Sequence, residues 1–132
     1  MSRQLLINLP VSDPQKSKNF FEELGLSFNK ELTDENATCF NIDDNIVIAL
    51  LPTEHFKAAI HNNEVVDATK CNEVLLSIGV KTNEEVDVLS SRAVAAGGKE
   101  IGKPIDYGSI YAATFADLDG HQWNIFHMIE SK

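Results

Sequence analysis

The groups able to do chemistry in this chain are few and scattered. Four histidines occur, His55, His61, His121 and His127. His55 and His61 are six residues apart, a spacing that does not put them on one face of a helix. His121 falls in the turn marked by Asp119-Gly120. His127 has the opposite strand parity from Asn124, so the two point to opposite faces of any strand that carries them. The histidines therefore read as solvent-facing or packing residues, not as metal ligands. Cys39 and Cys71 match no metal or redox spacing and are expected to be reduced thiols. Cys39 would need a lowered pKa to act as a nucleophile, and no base near it can be named, so it reads as structural. Glu54, Glu73 and Glu130 lie near strand ends but make no convergent donor set with the histidines. No nucleophile-elbow motif, phosphate-cradling glycine loop, haem signature or flavin signature is present. What remains is hydrogen-bonding chemistry from Asn8, Ser77, Gln122 and Asn124, and from Tyr111, which could donate a hydrogen bond or act as an acid.

Charge narrows the partners. Twenty acidic residues against 11 basic give a formal net charge of −9, a field that repels nucleic acid and anionic membrane surfaces. No Lys/Arg cluster relieves it; solubility is a sufficient reason for it, although it would also favour a cationic ligand. At 132 residues and 43% hydrophobic, the chain can bury the core of one ordinary domain. No apolar run approaches the roughly 20 residues that span a bilayer. The N-terminus runs straight into a strand-like segment shorter than a signal-peptide core, so a cytoplasmic location is expected.

These residues need elements to position them. Leu5, Ile7 and Leu9 alternate with Leu6 and Asn8, a strand over 4–10 stopped by Pro10. Asp13-Pro14 starts a helix, with Asp as N-cap and Pro at the first helical position. Phe20, Phe21 and Leu24 form its apolar stripe and Gly25 its C-cap. Three strands are predicted next, over 26–32, 37–42 and 46–51. A linker over 53–72 follows, with a short helix near 54–60. The alternation of Val74, Leu76 and Ile78 predicts a strand over 73–80. Asn83 can cap a helix that turns Val86, Leu89, Ala93 and Val94 inward and stops at Gly97-Gly98. Three more strands are predicted, near 100–101, 111–115 and 122–128, with a loop over 102–109.

The order strand, helix, three strands thus occurs twice, over 1–52 and 73–132. That repeat resembles the vicinal oxygen chelate superfamily, which includes glyoxalase I, fosfomycin-resistance thiol transferases, extradiol dioxygenases and bleomycin-resistance proteins. The resemblance is carried by Val11-Ser12-Asp13 leading to Ser17-Lys18-Asn19-Phe20-Phe21-Glu22-Glu23-Leu24-Gly25-Leu26, and by Phe115-Ala116-Asp117-Leu118-Asp119-Gly120-His121-Gln122-Trp123. It covers nearly the whole chain. It implies an α+β domain over 1–132 of two βαβββ units, whose curved, mostly antiparallel sheets enclose a cup-shaped cavity. It also implies that enzymes of this type hold one divalent metal through His and Glu at two positions per unit. One position lies five residues before the Val that ends the first strand, here Leu6 and Leu75. The other lies on the last strand, four residues after the Gly of the Asp-Gly turn, here Asn124, with Ala49 as the first-unit counterpart. Leu and Ala offer no donor atom and a neutral amide oxygen is a weak ligand, so no metal and no other cofactor is expected.

Strand parity groups Leu6 with Asn8, Leu75 with Ser77, Val47 with Ala49 and Leu51, and Gln122 with Asn124 and Phe126. If the metal positions mark the concave face, that face is an apolar wall dotted with hydrogen-bonding groups. It would suit a small, partly apolar ligand at Asn8, Ser77, Tyr111, Gln122, Asn124 and Phe126. Alternatively, these polar groups satisfy one another or water in a filled interior. Three functions are compatible with this reading. The first is a metal-free small-molecule-binding protein of the bleomycin-resistance kind. The second is a glyoxalase-like lyase, isomerase or dioxygenase with unrecognised ligands. The third is a module that only dimerises. A homodimer is expected under all three, because a half-cup exposes strand edges.

Overall fold

In the computed structural model, residues 3–129 are described. Glu130 lies outside them. The chain consists of two compact units that divide between Val65 and Val66.

In the first unit, β1 (Leu5–Val11) leads to α1 (Pro14–Glu23), then β2 (Thr38–Asp43), β3 (Ile46–Pro52) and α2 (Thr53–Ala59). The start of α1 is built as its sequence predicts. The Asp13 carboxylate accepts from the backbone N–H groups of Gln15 and Lys16 at 3.1 and 3.2 Å, and Pro14 follows it. Such a cap is worth about 1 kcal/mol. Past the end of α1, Gly25 takes φ +95°, a conformation glycine adopts without strain. The sheet has the order β1-β3-β2, with β1 parallel and β2 antiparallel to β3. Leu9, Val11, Phe40, Ile48 and Leu50 are buried with Phe20 and Phe21 of α1, and the rings of Phe21 and Phe40 lie 4.9 Å apart.

The strand predicted over 26–32 does not form. Only a single bridge, Phe28 to Phe40, survives there. The cause is Asn29, whose side-chain oxygen accepts from the N–H groups of Glu31 and Leu32 at 3.0 and 3.2 Å. That local turn competes with a ladder and wins.

The second unit contains β4 (Leu75–Gly79), α3 (Asn83–Ala95), β5 (Lys99–Asp106), β6 (Ile110–Ala116) and β7 (Gln122–Met128). Its sheet has the order β4-β7-β6-β5, with β4 parallel to β7 and the other pairs antiparallel. Helix α3 packs on β5, β6 and β7 and buries Val86, Ser90 and Ala93. Trp123, Ile125, Phe115 and Ala113 are also buried. The N-cap is Thr82, one residue before the expected Asn83, and its hydroxyl accepts from the Glu85 N–H at 3.1 Å. Strand β5 is longer than its sequence suggests and absorbs most of the expected 102–109 loop. Two register shifts, around Gly102 and before Ile105, let an edge strand carry Gly102 and Pro104.

Candidate functional site

The turn before β7 fixes the strand that carries most of the expected binding residues. Asp117 is buried, and its Oδ1 accepts from the backbone N–H groups of Asp119 and His121, each at 3.0 Å. Its Oδ2 accepts from the Trp123 indole N–H at 3.0 Å. Burial pushes the Asp117 carboxyl above the ordinary aspartate value, although His121 and the three N–H donors pull the other way. Gly120 takes φ +89° and sits so close to the loop before β4 that a Cβ there would lie 2.8 Å from the Thr69 amide nitrogen. With turn and indole tied to one carboxyl, the odd positions of β7 face α3 and the even positions face away from it.

On that open face three polar side chains form a row across three strands. Asn124 on β7 stands opposite Thr114 on β6 and Ser77 on β4. The Thr114 hydroxyl donates to Asn124 Oδ1 at 3.2 Å, and Asn124 Nδ2 donates to Ser77 Oγ at 3.4 Å. The Ser77 hydroxyl proton and the second amide hydrogen of Asn124 remain for a ligand or water. Gln122 and Phe126 share this face with Leu75 and Gly79. The Phe126 ring covers Gly79 so closely that a Cβ there would lie 3.0 Å from it.

A concavity of about 330 Å³ opens on the same face, between β5, the β5–β6 turn and the row just described. Asn124 and Thr114 line one end, Tyr107 and Ser109 the other, with Ile105 and Ala112 between. Of the expected residues, Asn124 alone lines it; Ser77, Gln122 and Phe126 share its face beyond its wall. Asn8 belongs to the first unit, where it is exposed and stands opposite Ala49. There Val47 and Ala49 are not an open wall. They form a buried cluster with Cys39, and Ala37 packs against it.

Tyr111, expected among the ligand-binding residues, does not line the concavity. It lies opposite His127 on the helix side of the sheet, and its hydroxyl donates to Asp87 of α3 at 2.6 Å. The hydrogen bond to that carboxylate raises its pKa. His127 Nδ1 lies 2.8 Å from Asn83 Oδ1, so it too faces the helix, as parity predicts. The rim tyrosine is Tyr107, 66% exposed. A signal for this exists in the sequence, because Tyr111 and Phe115 alternate with Ala112 and Thr114. Tyr111 and Phe115 take the helix side and leave Thr114 beside Asn124.

The positions where the resemblance implies a metal do not fit one. They carry Leu6, Ala49, Leu75 and Asn124, and the asparagine is engaged by Thr114 and Ser77. Among the described residues no three His, Cys, Asp or Glu side chains gather as a metal centre requires. Cys39 is also poorly suited to chemistry. Its thiol donates to the Leu32 carbonyl at 3.3 Å, and burial raises its pKa. Cys71 is exposed. No helix among the described residues is long and apolar enough to cross a membrane.

With this geometry in view, the model of the Glyoxalase/Bleomycin resistance protein/Dioxygenase superfamily matches residues 3–125. The hypothetical protein SA1046 from S. aureus is 31% identical, with 96% of this chain and 94% of that chain covered and a TM-score of 0.81. A glyoxalase/bleomycin resistance protein/dioxygenase family enzyme from Burkholderia phytofirmans PsJN is 19% identical, covering 97% and 100% of the two chains at a TM-score of 0.82. A glyoxalase-related enzyme from Fulvimarina pelagi is 22% identical, covering 96% and 88% at a TM-score of 0.80. At such identities the last two show a shared fold. No curated protein matches the sequence significantly.

Proposed function

The chain belongs to the Glyoxalase/Bleomycin resistance protein/Dioxygenase superfamily, and on that premise we propose that it binds a small, partly apolar molecule without a divalent metal. The observation that carries this reading is the replacement of the metal positions by Leu6, Ala49, Leu75 and Asn124, the last held in a hydrogen-bonded row beside a concavity. Such a surface offers apolar area from Ile105 and Ala112, and directional hydrogen bonds from Thr114 and Asn124. With no charged group in the row itself, the row can orient a ligand but supplies no strong base or nucleophile.

A homodimer and a cytoplasmic, metal-free protein are part of the same reading. Strands β1 and β4 are sheet edges, and Leu5, Leu6 and Leu75 on them are exposed. Unpaired edges bearing leucine favour pairing with a second copy. Light scattering at micromolar concentration is expected to give twice the chain mass, and a strict monomer would refute the dimer.

The test of the main reading is metal content of the purified protein, followed by melting after chelation and addition of Zn, Ni, Mn or Fe. No bound equivalent and no shift in Tm are expected. One equivalent of metal, with a rise in Tm for one ion, would replace this reading with a metal-dependent lyase, isomerase or dioxygenase.

A further inference from the structure

We propose that the ligand of the second unit's concavity carries an anionic group, a carboxylate or an equivalent monoanion, and that Lys103 selects it. This rests on the concavity being a binding site, as argued above. Among the described residues, Lys103 is the sole charged one lining it. Among the described residues no carboxylate pairs with Lys103. In a chain of net charge −9 an unpaired lysine in a concavity is a local reversal of the prevailing field.

The backbone is built to put it there. Between β5 and β6, Gly102 stands opposite Thr114 and Ile105 opposite Ala112, so Lys103 and Pro104 together oppose Ala113. That is one extra residue on β5, a bulge. Without it the residue after Gly102 would take the helix side, as Ala113 does. With it, Pro104 lines the groove beside Asp87 and Ser90 of α3, and Lys103 lines the concavity on the other face. Bulges re-aim side chains next to sites in this way. The cation then stands on the β5 wall, and Thr114 and Asn124 offer neutral hydrogen-bonding groups at one end. An aromatic or aliphatic body over Ile105 and Ala112, with an anion toward Lys103, matches that distribution.

The probes are naphthalene-2-carboxylate and naphthalene-2-carboxamide, which share a body and differ in charge, titrated into the ¹⁵N-labelled full chain. Both are expected to shift the amides of Gly102, Ser109, Thr114 and Asn124. The carboxylate is expected to bind roughly two- to fivefold tighter, the range of an exposed ion pair. Lys103→Gln is expected to remove that preference, and Lys103→Glu to reverse it. Equal affinities in the native chain, or a preference that survives Lys103→Gln, would overturn the role of Lys103 alone. Failure of both compounds to shift these amides would overturn the binding site itself, and this inference with it.

Discussion

The Tyr111 hydroxyl donates to the Asp87 carboxylate at 2.6 Å, which joins the sheet of the second unit to its helix through one short hydrogen bond. Because the carboxylate raises the Tyr111 pKa, the native state keeps its proton at pH values where the unfolded chain has lost it. The stability this supplies is present below the ordinary tyrosine value of 10.0 and is lost as pH rises through the folded value. Absorbance at 295 nm during alkaline titration is expected to lose its raised step in Tyr111→Phe, and to show that step earlier in Asp87→Asn. A step that stays in place in Asp87→Asn would show that the carboxylate does not set it.

Asn124→Ala is expected to cost no more than about 1 kcal/mol of stability, since the two hydrogen bonds it removes are partly exposed. Affinity for either naphthalene probe should fall several-fold. Urea unfolding and probe titration measure the two effects separately, and an unchanged affinity would remove Asn124 from the site.

Asp117→Ala should be far more damaging, by about 2–3 kcal/mol, because it removes the carboxylate that accepts from the Trp123 indole and two backbone N–H groups in a buried turn. Trp123 is the lone tryptophan, so its emission reports the change directly. Burial raises the Asp117 pKa, so its contribution is greatest below the ordinary aspartate value and declines as pH rises through the folded value. Asp117→Asn is expected to flatten that part of the stability–pH curve, and an unaltered slope would count against it.

Gly120→Ala should destabilise by about 1–3 kcal/mol through two independent costs. An alanine is strained at φ +89°, and its Cβ would meet the Thr69 backbone nitrogen at 2.8 Å, an atom that cannot swing aside. Thermal melting checks this, and a Tm within about one degree of the native chain would mean that the 67–70 loop yields freely.

Much of this was legible in the sequence; the rest was decided by pairing between strands or by one local turn. The N-cap of α1 and the glycines that follow α1 and α3 come from residues near each other in the chain. Asp13-Pro14, Gly25 and Gly97-Gly98 therefore sit where the local rules put them. Alternation puts Tyr111 and Phe115 on one face of β6, but which residues that face meets is decided only when β6 pairs with β7. The face of Lys103 is decided by a bulge, and a bulge appears only when β5 meets β6. The lost strand over 26–32 is the reverse case. There a local turn at Asn29 overruled a plausible apolar pattern.

The burial of Cys39 has a practical consequence. With that thiol shut in and Cys71 exposed, a maleimide dye should attach at a single address in the native chain, with no engineering. Trp123, the lone indole, is a built-in energy donor in the same unit as Cys71. The second unit therefore carries its own two-point ruler, readable while a ligand is titrated.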